Sequence, residues 1–344
     1  MTTRSTVVGV VGNDVPRQLV LAAGAVPHRL TGSWLCQIDP DAAELLGAAD
    51  AAVTRILTDL RARPGGCDGL VVCADSQAHV RLFYVLRATA PRLPLHLLDL
   101  PRADSGPARR FARVQLHSLA EFLTGVTGRA IDAAGLTEAA ADERAVHDAR
   151  VRLRDRRHAS PPECHGTLAL EALLAAARLD PAAAVARLDA ARSDVAPTAV
   201  RVHVTGSAHP DASLYRLLEE QSCVVVSEDH DTGDEALLGD AADGDLLDEI
   251  VDGLIDRHFA RVGGSATASS AARGRLTRDS AVAAAAQIVV GVVRELDEAP
   301  LWDVADQSAL LAAAGVPFRV RTGVTAGDEA DAARRLVEPG RWVA

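Results

Sequence analysis

The chain contains no lysine, because all 36 basic residues among its 344 are arginine. This absence excludes the phosphate-binding lysine of a nucleotide-binding P-loop, a Schiff-base lysine and a lysine general base. A GC-rich coding sequence accounts for the bias, and it also accounts for the alanine runs and the single methionine. The absence of lysine therefore excludes several kinds of site, but it does not indicate which chemistry the protein uses.

Cysteine is scarce and scattered. The five cysteines form no C-x-x-C pair and no zinc-ribbon spacing, and their number is odd: Cys36, Cys67, Cys73, Cys164 and Cys223. A disulfide framework is therefore not expected. The chain also lacks a run of about 18 uninterrupted apolar residues and an N-terminal apolar segment followed by a cleavage site. We expect a reduced, cytoplasmic protein with no membrane partner.

Charge and composition narrow the function further. The formal net charge is -11 and the sequence pI is near 5.5, which argues against binding to nucleic acid phosphates or anionic lipid. Apolar residues make up 48% of the chain, enough for packed cores and too many for a disordered protein. The length predicts two compact units.

Hydrophobic patterning predicts the fold class. Strand-like runs at residues 5–12, 70–72 and 95–100 alternate with helical segments at 17–23 and 77–88. Apolar strands that alternate with amphipathic helices are typical of a parallel sheet with helices on both faces. The first part of the chain is therefore predicted to be an α/β unit.

The pattern then changes and returns. Residues 107–192 carry helical periodicity without a strand-like run, and strand-like runs resume at 201–206, 223–226, 284–293 and 317–320. The prediction is an α/β fold with two Rossmann-like parallel-sheet domains joined by a helical segment. The predicted bounds are 1–106, 107–195 and 196–344, and the layout indicates an ancient duplication.

Two strand ends carry candidate site residues, because ligands bind at the carboxyl edge of parallel sheets. We expect Ser33, Trp34 and Cys36 to face a cleft there, although Trp34 could equally cover the edge of the core. The stretch 228–231 is the most polar strand end. It could bind a ligand or metal, or act in acid–base chemistry through His230, or form a solvated acidic turn.

Several ordered segments resemble the 2-hydroxyacyl-CoA dehydratase and benzoyl-CoA reductase subunit family. An "AAG-x-x-P-x-x-x-x-G" element lies at 22–32, a "D-G-L-V-V" strand at 68–72 and an "L-D-L-P" strand at 98–101. Later segments agree, with "PP-x-x-x-G" at 161–166, "VV-x-(D/E)DH-x-x-G" at 225–233 and a "GIP"-like end at 315–317. Together they identify the chain as similar to the D-component of that family.

The resemblance implies a mechanism and partners. Members pair as two related subunits, and three cysteines hold a [4Fe-4S] cluster beside an acyl-CoA thioester. An ATP-dependent iron–sulfur activator delivers the electron. The resemblance therefore implies a homologous cluster-bearing subunit, the activator and an acyl-CoA substrate as partners.

The ligand positions depart from the family pattern. The second ligand position falls on Ser76, the third falls near Val292, and residues 51–60 offer no cysteine for the first. Cys36 and Cys73 would serve only an atypical cluster. We therefore predict the cluster-free partner in a heteromeric dehydratase-like or reductase-like enzyme, with no cofactor on this chain and [4Fe-4S] in the partner.

On this interpretation the predicted catalytic residues are Ser33, Ser76 and His230, and the predicted substrate-binding residues are Trp34, His79, Arg81 and Glu228. Arg29, Arg81 and Arg109 are candidates for CoA phosphates, since guanidinium groups form bidentate contacts with phosphate. Two other functions stay open. One is an iron-independent enzyme that reuses the fold through Ser33, Ser76, His79 and His230, and the other is a non-catalytic structural or interaction protein.

Overall fold

A computed structural model describes residues 5–234 and 241–338. Two four-stranded parallel sheets have the orders β2-β1-β3-β4 and β6-β5-β7-β8. Their strands are β1 (Thr6–Val11), β2 (Ala25–Arg29), β3 (Gly69–Cys73), β4 (Leu95–Leu98), β5 (Val200–Gly206), β6 (Cys223–Glu228), β7 (Ile288–Arg294) and β8 (Phe318–Val324). The predicted α/β fold with two parallel-sheet domains is confirmed. The outer bounds predicted for the domains, residues 1 and 344, lie outside the described residues.

Helices connect and cover the strands. They are α1 (Arg17–Ala22), α2 (Pro40–Leu46), α3 (Ala51–Ala62), α4 (Gln77–Thr89), α5 (Gly106–Thr127), α6 (Ala133–His158), α7 (Gly166–Ala176), α8 (Pro181–Asp189), α9 (Ser213–Glu219), α10 (Leu247–Ala260), α11 (Ser270–Ala283), α12 (Ala299–Ala313) and α13 (Glu329–Val337). The helical periodicity predicted across 107–192 covers four helices, α5 to α8. The last of them begins at Pro181, where Asp180 accepts a hydrogen bond from the Ala183 N–H.

The central strands are buried on both faces, which is why they read as continuous apolar runs. One helix links the two sheets. Although α10 lies between β6 and β7 in sequence, its Ile250, Val251 and Leu254 pack into the core on the first sheet, beside Leu116 of α5. The chain thus returns to the first sheet before it completes the second, and the two units share packing.

A glycine lies at the carboxyl end of β1 and another at the carboxyl end of β5. Each of these strands is crossed by a later connection, from β2 to β3 or from β6 to β7. Gly12 has φ +96°, and a Cβ there would lie 2.4 Å from Asp75 Oδ2. Gly206 has φ +107°, and a Cβ there would lie 2.4 Å from the Val292 carbonyl oxygen. Only glycine allows both the backbone conformation and the close approach. The crossover at this edge is where ligands bind in open α/β sheets.

Across the described parts of the chain, no helix combines the length and the apolar character needed to cross a lipid bilayer.

Candidate functional site

A cleft of about 650 Å³ lies where the carboxyl ends of the two sheets face each other. Its walls come from the loops that follow β1, β2 and β3 of the first sheet and β5, β6 and β7 of the second. Trp302, at the start of α12, lies on the lining and is 78% exposed. The cleft is therefore built by both units together.

Ion pairs join the two sheets across the cleft. Arg29 lies 3.1 Å from Asp231 Oδ2, and Arg294 lies 2.6 Å from Asp50 Oδ2. Burial would raise the pKa of Asp50, but Arg294 outweighs it and the pKa is lowered. The two carboxylates are therefore charged and keep both arginines occupied.

Asp75 and His79 form a pair on the first sheet's side of the cleft. His79 Nδ1 lies 2.5 Å from Asp75 Oδ1, and Asp75 Oδ2 accepts a hydrogen bond from the Asn13 N–H at 3.0 Å. The backbone N–H of His79 donates a hydrogen bond to Ser76 Oγ at 3.1 Å, and this contact caps α4. Within the described residues, no hydrogen bond reaches His79 Nε2. One ring nitrogen is thus held by a carboxylate, and the other is left for the cleft.

Two opposing effects set the pKa of His79. Burial lowers it, but Asp75, helped by the more distant Asp231 and Asp50, outweighs burial and raises the pKa above its usual value of 6.5. The ring therefore holds its proton to higher pH than a solvated histidine does.

His230 also lines the cleft, but its ring nitrogens are both occupied. Nε2 lies 2.8 Å from the Tyr215 hydroxyl, and Nδ1 lies 3.1 Å from Thr232 Oγ1. The residue is only 2% exposed, and burial lowers its pKa to about 4. His230 is therefore neutral near pH 7 and belongs to a buried hydrogen-bond chain.

Glu228 lies deeper than predicted. Its carboxylate pairs with both terminal nitrogens of Arg157 and accepts hydrogen bonds from the Tyr215 hydroxyl and the Asp234 N–H. Burial would raise its pKa, but Arg157 outweighs burial and lowers it to about 2. Glu228 is absent from the cleft lining, and the alternative of a solvated acidic turn at this strand end is wrong, because 228–230 is buried.

The next carboxylate along the strand end is also buried. Asp229 lies 3.1 Å from Arg273 and accepts a hydrogen bond from Thr277 Oγ1. His203 Nε2 lies 3.6 Å from the same carboxylate. Burial would raise the pKa of Asp229, but Arg273 and His203 lower it. The end of β6 is therefore a network of internal ion pairs.

The other predicted site residues divide into two groups. Ser76, His79 and His230 line the cleft, and so does Arg29. The rest lie outside its lining, namely Ser33, Trp34, Arg81 and Arg109. Their roles at a cleft stay predictions that the geometry of the described residues does not favour.

The contacts of that second group explain their placement. Ser33 donates to Asp211 at 2.7 Å. Trp34 is 8% exposed and packs into the hydrophobic core on the second sheet, which agrees with the alternative prediction that it covers the edge of the core. Arg81 donates to the carbonyl oxygens of Leu46 and Ala48. Arg109 pairs with Asp104 and Asp256 on the protein surface.

Sequence reasoning missed three functional contributors. Asp75 directly precedes the predicted residue Ser76, and its position four residues before His79 at a helix start was the available signal. Asp50 and Arg294 carry no motif, because their pairing joins positions 244 residues apart.

The cysteines do not converge. Four are buried, each in a different hydrophobic cluster: Cys73, Cys223, Cys67 and Cys164. Burial raises the pKa of all four thiols, so they remain protonated at neutral pH. Cys36 lies nearer the surface, with Sγ 3.6 Å from the Gln37 carbonyl oxygen. None of the described residues that line the cleft is a cysteine.

A family model decides the relationship. The model of the 2-hydroxyglutaryl-CoA dehydratase D-component matches residues 13–319. The chain belongs to this family. The matched residues contain six of the eight strands in full, β2 to β7, and all of the described cleft lining except Gly12. The predicted family resemblance is confirmed. No curated protein matches the sequence.

The side chains at the expected ligand positions do not suit the [4Fe-4S] cluster that the resemblance implied. Ser76 uses its hydroxyl to cap α4, Val292 is fully buried within β7, and residues 51–60 lie in α3 without a cysteine. Among the residues with described positions, no three histidine, cysteine or acidic side chains are grouped to hold a metal ion. Soft thiolate ligands are what such a cluster requires.

Proposed function

We propose that this D-component family member is the cluster-free subunit of a cytoplasmic, heteromeric 2-hydroxyacyl-CoA dehydratase-like or benzoyl-CoA reductase-like enzyme. Its cleft shapes the acyl-CoA site beside a related subunit that carries the [4Fe-4S] cluster. The observation that supports this proposal is the lining of the cleft, which is continuous across the carboxyl ends of both sheets and has no cysteine among its described residues.

The chemistry of the cleft suits a binding and proton-transfer role. Its arginines are each paired with a carboxylate, and its apolar lining includes Val53, Ile56 and Leu296. An acyl chain can contact such apolar side chains while polar groups hold the thioester end. The electron would come from the partner subunit after an ATP-dependent activator has reduced it.

Co-purification tests the assignment. The chain is expressed with a tag beside a cysteine-complete homologous subunit and is isolated without oxygen. We expect both subunits to elute together in equal amounts. With the activator and ATP, the complex is expected to dehydrate 2-hydroxyglutaryl-CoA, while neither subunit does so alone.

Two results would overturn this proposal. Turnover of the thioester by the isolated chain, without iron, would establish the iron-independent enzyme. Failure of the chain to bind the homologous subunit or the thioester would favour a structural or interaction protein. As the matched control, the homologous subunit is expressed with the tag alone in place of the tagged chain.

A further inference from the structure

The two histidines on the cleft lining differ in one respect that decides their chemistry. Both nitrogens of His230 contact hydroxyl groups, at 2.8 and 3.1 Å. Only Nδ1 of His79 has a hydrogen-bond partner among the described residues, and that partner is a carboxylate. A histidine with one nitrogen fixed by an acid and one nitrogen open is arranged for proton transfer.

The surroundings hold this pair in place. Asp75 lies two residues after the end of β3, and its second oxygen accepts a hydrogen bond from the Asn13 N–H of the loop after β1. His79 lies in the first turn of α4, whose cap is the Ser76 hydroxyl. The side chains are 18% exposed for His79 and 11% for Asp75. The ring therefore has a defined orientation toward the cleft without being sealed from it.

Three carboxylates act on the His79 ring, and only two of them are paired with an arginine in the described parts of the chain. Asp231 and Asp50 also raise the pKa of the ring, from the second sheet and from the loop before α3, and each is paired with an arginine, Arg29 or Arg294. Asp75 has no arginine partner in the described parts of the chain. Its charge is thus available to stabilise an imidazolium on His79.

We propose that His79 is the proton-transfer residue of the cleft and that Asp75 is its positioning residue. His79 Nε2 exchanges a proton with an oxygen atom of the bound 2-hydroxyacyl thioester. When the proton leaves, the N–H electron pair stays on Nε2 and a lone pair of the ligand oxygen forms the new O–H bond. The identity of this ligand rests on the proposed function, whereas the pair itself does not.

The first test needs only the isolated chain. Histidine side-chain NMR follows the titration of His79, which is assigned by its loss in His79→Gln. We expect His79 to titrate above 6.5 in the wild type and to titrate lower in Asp75→Asn, which keeps an oxygen for the Asn13 N–H. A titration that is the same in both proteins would contradict the pair.

A matched control exists outside the cleft. His117 of α5 lies 3.1 Å from Asp248 of α10, and both are partly exposed. Asp248→Asn removes a longer and more exposed histidine–aspartate contact, and we expect it to leave the His79 titration unchanged. If the titration of His79 also shifts in Asp248→Asn, the shift in Asp75→Asn reflects a general loss of structure. That result would contradict the Asp75–His79 pair.

The second test uses the complex and the probe 2-hydroxyglutaryl-CoA. His79→Gln is expected to lower kcat by about 100-fold or more with little change in KM, and Asp75→Asn is expected to move the kcat pH profile to lower pH. His117→Gln should leave kcat unchanged. A kcat unaffected by His79→Gln would overturn the proposal.

The two failures can be told apart. If the complex turns over the thioester equally well with His79→Gln, the proton-transfer assignment is wrong and the proposed function stands. If the complex forms but the wild type turns over no thioester, the proposed function and the ligand assignment are both wrong. In that case the NMR titration still decides whether the Asp75–His79 pair exists.

Discussion

The two sheets share one strand order and end their first strands on equivalent glycines, yet their carboxyl edges are used differently. On the second sheet, Glu228 and Asp229 are buried against Arg157 and Arg273. On the first sheet, the Asp75–His79 pair keeps a nitrogen toward the cleft. The difference teaches that ionisable residues at a strand end signal function only when their hydrogen-bonding capacity is not already used inside the protein.

Breaking the buried network is expected to give the largest effect. Glu228→Gln leaves Arg157 buried without its charged partner, since the next carboxylate, Asp234, is 3.8 Å away. Removing one partner of a buried pair costs about 3–5 kcal/mol of unfolding free energy. Denaturant unfolding of the variant measures this loss.

The control pair uses an arginine of the same helix, α6, that contributes Arg157. Arg152 of α6 pairs with Asp189 at 2.8 Å, but the two side chains are 49% and 40% exposed. Arg152→Met is therefore expected to cost less than about 1 kcal/mol. If Glu228→Gln and Arg152→Met cost the same, the buried network at the second sheet contributes no more to stability than an exposed ion pair does.

The two cleft histidines give a smaller and sharper contrast. His230→Asn leaves Tyr215 and Thr232 without one hydrogen-bond partner each, which costs about 1–3 kcal/mol. His79→Gln removes a partly exposed contact and is expected to change the unfolding free energy by less than about 1 kcal/mol. Thermal unfolding of the two variants compares them, and a larger loss for His79→Gln would reverse the roles assigned to the histidines.

Most of the fold could be predicted from the sequence. The β-branched strands at 70–72 and 223–226 and the helix that begins at Gln77 are visible as local patterns, and the structure places β3, β6 and α4 there. The return of α10 to the first core could not be predicted. Ile250 and Leu254 look like an ordinary amphipathic face, and periodicity does not say which sheet that face covers.

The site was only partly predictable for the same physical reason. His79, Ser76 and His230 follow strands, so the edge of the sheet could be anticipated from local order. Whether each side chain faces the cleft depends on distant partners. Trp34 turns into the second core, and Glu228 is held by Arg157, 71 residues earlier. Such pairings leave no trace in the spacing of a single sequence.

The proposed function requires that this chain contributes the acyl-CoA cleft and binds no [4Fe-4S] cluster. The most direct measurement is the iron and acid-labile sulfide content, with an electronic absorption spectrum, of the chain purified without oxygen, alone and with its homologous subunit. We predict no stoichiometric iron on the chain alone, iron in the complex, and no change in that iron in a Cys36→Ser variant of this chain. Near-stoichiometric iron and sulfide on the isolated chain would contradict the account.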